Sequence, residues 1–209
     1  MTSLREQPVR VVLRFIASVM IVSGILLITD AVVTLAWQEP VSAYFSERQQ
    51  VKLEKALIHP PERVVHKNPL PGDAIGKIVI PSIGVSKYVV EGTDADSLRK
   101  GPGHYPATPL PGQHGTSAIA GHRTTYGAPF RHLNDLHKSD RIVLEMPYGT
   151  FVYRVEKMQI VDDSALWVTH RVDHDRLVLT ACHPLYSAAQ RIVAFARLTE
   201  RRPATVVKS

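Results

Sequence analysis

From about Ile75 onward the chain runs in short β-type segments separated by turn residues, and this pattern limits its fold more than any other feature. The candidate strands are Gly76–Ile80, Val85–Glu91, Thr116–Ala120, Arg141–Glu145, Thr150–Ile160, Arg176–Ala181 and Arg191–Leu198. The stretch YGTFVYRVEKMQIV alternates apolar with polar side chains, the period of a strand with one face buried. Turn signals stand between the runs at Pro81-Ser-Ile-Gly84, Pro111-Gly112, Lys138-Ser-Asp140 and Pro147-Tyr-Gly149. About seven or eight strands at such spacing argue for an all-β domain, a closed barrel or a sandwich. A short helix fits Asp94–Lys100, with Asp94 as its N-cap.

The N-terminus is of another kind. Arg5, Arg10 and Arg14 precede a charge-free run from Phe15 to Thr29, followed by Asp30 and AVVTLAW up to Trp37. The charge-free run alone makes ~22 Å of helix, short of a bilayer core of roughly 30 Å. Extended through Ala36 it makes ~33 Å, which spans, with Asp30 in the outer third where a charge costs less. Residues 15–37 therefore read as a transmembrane anchor and 1–14 as a cytoplasmic N-terminus, because the arginines stay inside. Trp37 and Tyr44 suit the outer interface. A cleaved signal peptide, with Thr34-Leu-Ala36 as its site, is the competing reading, but the apolar stretch exceeds the usual length of such a region. A buried core helix fits poorly, since nothing in the run is amphipathic.

Residues 38–74 read as a stalk: a helix over Val41–Ile58 with Pro40 near its first turn, ended by His59-Pro60-Pro61, then a proline-punctuated linker. An inhibitory segment folding over a site is the alternative. Residues 75–200 form the β domain and 201–209 a C-terminal tail. A net charge of +6 at pH 7 is modest and scattered, so no nucleic-acid footprint is indicated. A single cysteine excludes a disulfide framework and a multi-cysteine zinc site. Neither a metal nor a cofactor is expected.

That cysteine, Cys182, ends the apolar run LVLTA and precedes His183-Pro184, so it lies at a strand end, on a barrel rim where sites are built. A thiol there is either a small buried hydrophobe or a nucleophile, and a nucleophile needs a nearby histidine and a cation. His122 ends a second apolar strand, SAIAG, in the same manner. His183 alternates to the opposite face from Cys182. His104, His114, His132, His137, His170 and His174 fall in turn-rich stretches and read as solvated. Arg191 opens the strand after Cys182, and a hairpin would return its guanidinium beside the sulfur, able to donate to an oxyanion.

Together these residues resemble the sortase family. The stretches that carry the resemblance are GHRTTYGAPFRHLNDL, KSDRIVLEMPYGTFVYRV, LVLTACHP and RIVAF, within residues from about Ile75 to Leu198. The family's Thr-Leu-x-Thr-Cys signature appears as Val178-Leu179-Thr180-Ala181-Cys182, with both threonines replaced. The Gly-His-Arg-Thr-Thr-Tyr-Gly and Cys-His-Pro stretches look most like class E sortases of actinobacteria.

The resemblance implies an eight-stranded barrel with short helices that carries a cysteine transpeptidase, with hydrolysis as a side activity. Cys182 would attack the Thr–Gly bond of an LAxTG- or LPxTG-type sorting signal. His122 would protonate the leaving amine, Arg191 would stabilise the oxyanion, and Tyr126, Ala181 and His183 would contact substrate. The implied partners are surface proteins bearing a sorting signal, a peptidoglycan-precursor or pilin amine, and membrane lipid around a single-pass anchor. The rival readings are another extracytoplasmic cysteine peptidase or transpeptidase, and a non-enzymatic surface module with Cys182 buried.

Overall fold

The computed structural model describes residues 6–36 and 40–204, in two units divided at Pro40. Trp37 and the last five residues of the expected tail lie outside the described residues. In the first unit, α1 (Glu6–Ala36) carries a 25-residue apolar stretch, Val9–Val33. At ~1.5 Å per residue it is long enough to cross a bilayer, and its side chains are exposed along nearly the whole stretch.

The second unit is a closed barrel. Its strands are β1 (Ala74–Ile80), β2 (Val85–Glu91), β3 (Gly103–His104), β4 (Thr116–Ala120), β5 (Arg141–Met146), β6 (Gly149–Asp162), β7 (Arg176–His183) and β8 (Gln190–Pro203). They close in the order β1-β2-β3-β4-β7-β8-β6-β5. The β2·β3 and β4·β7 pairs are parallel and the remaining pairs antiparallel. Closure gives each strand a partner on both sides over at least part of its length.

Alternation along the strands sorts side chains to two faces. Ile78, Ile119, Ile142, Leu144, Tyr153, Leu177 and Leu179 fill the interior. Val178, Val193, Phe195 and Ala118 face outward and form a second apolar cluster. The β6–β7 connection covers that cluster with a short 3-10 turn, Leu166–Thr169, whose Val168 is buried against it. The buried Tyr153 hydroxyl accepts from the Gly112 N–H at 2.8 Å, and burial pushes its pKa up.

Two strands differ from expectation. β3 is a two-residue bridge that closes the barrel between β2 and β4. β8 continues past Leu198 through Thr-Glu-Arg-Arg to Pro203, pairing with Gly149–Val152. The short helix forms as α4 (Ala95–Leu98), and the Asp94 carboxylate accepts from the N–H groups of Asp96 and Ser97.

The helical part of the expected stalk, α2 (Pro40–Ile58), is packed on the barrel. Ser46, Gln50 and Leu53 recur at helical spacing and are buried. Along β2 the pairing with β3 covers only Val90 and Glu91, so on that side the backbone is open at Tyr88. The Gln50 carboxamide fills this gap as a peptide unit would. Its nitrogen donates to the carbonyls of Tyr88 (3.0 Å) and Lys100 (2.8 Å), and its oxygen accepts from the Tyr88 N–H at 2.7 Å. Glu47 pairs with Lys87, and the Tyr88 hydroxyl donates to Glu54. From the one-turn helix α3 (Glu62–Val65), Arg63 grips Asp73 in a two-bond fork at 2.8 Å per bond. That fork holds the Asp73 carboxyl below its ordinary range.

Candidate active site

The parallel register of β4 and β7 sets the site. Ala120 is opposite Thr180, so the next residues on each strand with the same facing are His122 and Cys182. The Gly121 N–H donates to the Thr180 carbonyl at 3.0 Å, which extends the register past the end of β4. On the other side of β7, Cys182 is the direct antiparallel partner of Arg191. Facing cross-strand residues share a face with Cβ atoms ~5 Å apart. His122, Cys182 and Arg191, remote in sequence, thus line one cleft of about 210 Å³ on the outer face of the barrel. Thr93, Leu98, Tyr105 and Thr180 complete most of its wall.

Gly121 is required by close approach. A Cβ there would stand 2.5 Å from the ring of Phe130, which is fully buried beneath the loop. Phe130 in turn donates its N–H to the His122 carbonyl at 3.0 Å, so the histidine backbone is tied to the core. Burial lowers the His122 pKa from its ordinary value, and the nearby Arg99 charge lowers it further. Cys182 is partly exposed, as a reacting thiol must be. Arg191 donates from Nη1 to the carbonyls of Ala188 (2.8 Å) and Gln190 (2.9 Å), which anchors it to the β7–β8 loop. A guanidinium has five N–H donors, so donors remain for a ligand.

The residues expected to contact substrate fall in different places. Ala181 touches the cleft, but its side chain belongs to the interior cluster, while Thr180 presents the outer face. His183 turns away from Cys182, where its Nδ1 meets Arg123 Nη1 at 3.2 Å. Because a guanidinium only donates, that nitrogen accepts. Tyr126 packs its ring on the His122 imidazole, centroids 5.0 Å apart.

Arg123 was not singled out from the sequence, and it is the most connected side chain here. Only 4% exposed, it donates to the carbonyls of Cys182 (3.2 Å) and Arg131 (3.4 Å) and to Asn134 Oδ1 (2.7 Å). It therefore joins the end of β7 to the loop that leaves His122. Its place directly after His122, on the alternate face, was the available signal. His104 corrects an expectation. It is not solvated but 1% exposed on β3, with Nδ1 2.8 Å from Glu91 and Nε2 3.1 Å from Thr108 and the Pro109 carbonyl. Among the described residues no three His, Cys, Asp or Glu side chains are gathered for a metal ion.

A closed barrel whose outer rim gathers a thiol, an imidazole and a guanidinium is the architecture of a sortase. The sortase-domain family model matches residues 78–199, and the chain belongs to the sortase family. It is 40% identical over 117 residues to Sortase D of Bacillus subtilis, a match covering 56% of this chain and 58% of that protein. It is 29% identical over 149 residues to Sortase SrtE1 of Streptomyces coelicolor, covering 64% of this chain and 42% of the relative. The chain thus spans about half the length of these curated relatives. The solved structure of Sortase E1 from Streptomyces coelicolor with a tripeptide in the active site superposes with a TM-score of 0.60 at 27% identity. That superposition covers 65% of this chain and 94% of the other.

Proposed function

We propose that this chain is a membrane-anchored cysteine transpeptidase that cleaves a sorting signal between Thr and Gly and passes the acyl group to an amine. The observation that supports the reading is the level placement of His122 and Cys182 on parallel neighbours, with Arg191 across from the sulfur. His122 takes the proton of the Cys182 thiol as the sulfur forms a bond to the threonine carbonyl carbon, and the carbonyl electrons move onto oxygen. Arg191 donates to that oxyanion, where a preorganised donor is worth most. Collapse breaks the C–N bond as His122 gives a proton to the departing glycine amine. The acceptor amine then attacks the thioester, loses its proton to His122 and releases the thiolate.

The substrates are proteins bearing an LAxTG- or LPxTG-type signal, and the acceptor is a peptidoglycan-precursor or pilin amine. Hydrolysis of the thioester is the side reaction. The GHRTTYG stretch and the likeness to SrtE1 favour class E, beside the higher identity to Sortase D. The apolar Val9–Val33 stretch and the arginines before it favour a single-pass anchor in the cell membrane, N-terminus cytoplasmic and catalytic unit extracellular.

The test is incubation of the full chain with LAxTG and LPxTG peptides and an amine, read by mass spectrometry. The expected products are a peptide–amine conjugate and, on quenching, an adduct on Cys182. Cys182→Ala abolishes both, and turnover retained in that variant would end the reading.

A further inference from the structure

The loop leaving His122 turns through three consecutive residues of positive φ: Tyr126 at 52°, Gly127 at 72° and Ala128 at 39°. Only the middle one is glycine, so two residues with side chains hold a backbone region that L-residues rarely enter. Such a conformation persists where its surroundings determine it, and here the surroundings come from α2. The Ser42 hydroxyl accepts from the Tyr126 N–H at 3.1 Å. Ser46, 4% exposed, lies so close that a Cβ on Gly127 would stand 3.6 Å from its Oγ.

The turn is short and tied at both ends. Ala128 donates its N–H to the Thr125 carbonyl, and Phe130 donates to that of His122. A displacement at Tyr126 therefore reaches the histidine within four residues. The Tyr126 ring also bears on the imidazole directly, with planes tilted by 44°, and the Arg99 guanidinium stands 6.0 Å from the centre of the Tyr126 ring.

We propose that α2 is a positioning element of the active site: docked through Gln50 and Leu53, it props the Tyr126–Ala128 turn and so fixes the ring that packs on His122. The proposal rests on the reading of His122 as the proton carrier. Ser42 and Ser46 are positioning residues, acting through Tyr126 and Gly127. The charged and titratable groups facing His122 are Arg99, Tyr126, Tyr105, Cys182 and Arg191. Loosening α2 uncovers the imidazole, so its proton affinity rises toward that of a solvated histidine.

The test uses the full chain in lipid nanodiscs, with Ser46→Gln as a wedge between helix and turn. Two readouts are taken: kcat and KM on a sorting peptide, and the NMR titration of the His122 ring, assigned by its loss in His122→Ala. The expected result is a kcat lower by roughly tenfold with KM nearly unchanged, the signature of a displaced catalytic group. The His122 midpoint moves up toward its ordinary value of 6.5. Lys52→Ala, on the exposed side of α2, moves neither.

Ser42→Ala shifts both readouts in the same direction by less, and it carries the test if Ser46→Gln does not fold. An unchanged His122 titration and kcat in the serine variants overturns the proposal. A raised KM at constant kcat does so too, because it assigns α2 to substrate binding. The titration needs no substrate, so a wild-type chain inert toward every sorting peptide overturns the functional reading while leaving this test readable.

Discussion

Cys182 on β7 and Arg191 on β8 are direct cross-strand partners, and the guanidinium is anchored by the carbonyls of Ala188 in the connecting loop and Gln190 at the start of β8. The anchoring gives the cation a fixed position relative to the thiol, which a free surface arginine would lack. Losing an oxyanion donor costs on the order of 10²–10³ in kcat, the loss expected for Arg191→Ala. Arg191→Lys keeps the charge but loses the planar fork, so it recovers only part of the rate. Full recovery by lysine, in steady-state kinetics on a sorting peptide, would show that charge alone suffices.

Arg123 links the Cys182 carbonyl to Arg131 and Asn134 from a buried position. Arg123→Met leaves four acceptors without their donor, the His183 Nδ1 among them, and each buried unpaired polar group is costly. The expected loss is about 2–4 kcal/mol of stability in denaturant unfolding, together with a fall in kcat. A variant as stable and as active as the parent would remove Arg123 from any part in holding the site.

Gly121→Ala drives a methyl group into the Phe130 ring. Overpacking of this kind costs about 1–3 kcal/mol. The same push displaces the His122 backbone, so kcat falls while KM holds. Pairing Gly121→Ala with Phe130→Leu makes room for the methyl, and activity should partly return. No recovery in the double variant would mean that the collision is not the cause.

His122 gives a pH signature. Folding lowers its pKa, first through burial and then through Arg99, so the unfolded chain binds the proton first as the solution is acidified. The stability tied to neutral His122 is therefore fully present above the ordinary imidazole value of 6.5 and is lost as pH falls from there through the lower folded value. In thermal melts, His122→Gln should show less loss than the parent across that window. Arg99→Ala should make the loss smaller and end it at a higher pH, because the repulsion that lowers the folded value is gone. Identical pH dependence in all three would contradict the assignment.

Much of the barrel was legible because its strands carry the period of two. The runs around Ile119, Leu144 and Leu179 could be placed, and so could the strand-end positions of His122 and Cys182. Gly103–His104 could not, since two residues carry no period, and the histidine buried there read as solvated for the same reason. The end of β8 was hidden because Thr199–Arg202 is polar on both faces, as a pairing at the barrel's margin permits. The docking of α2 was hidden too. Its contact depends on a glutamine and two serines, polar residues that mark no buried face until the open backbone at Tyr88 is seen. Arg123 lay within the quoted motif, but only the tertiary approach of Cys182 gives its charge a partner.

The parallel pairing of β4 with β7 has a consequence for how such a molecule can diversify. Two strands running the same way discharge their connections at the same end, so the segments following His122 and Cys182 rise side by side from one rim. Cys182 belongs to the last rungs of a hydrogen-bonded ladder and His122 stands just past the end of β4, while the segments beyond them are loops. Insertions and exchanges in those loops can therefore remodel the approach to the thiol without altering the spacing of thiol and imidazole. A lineage built on this arrangement can vary the mouth of the cleft one loop at a time, with the pairing of the two strands inherited intact.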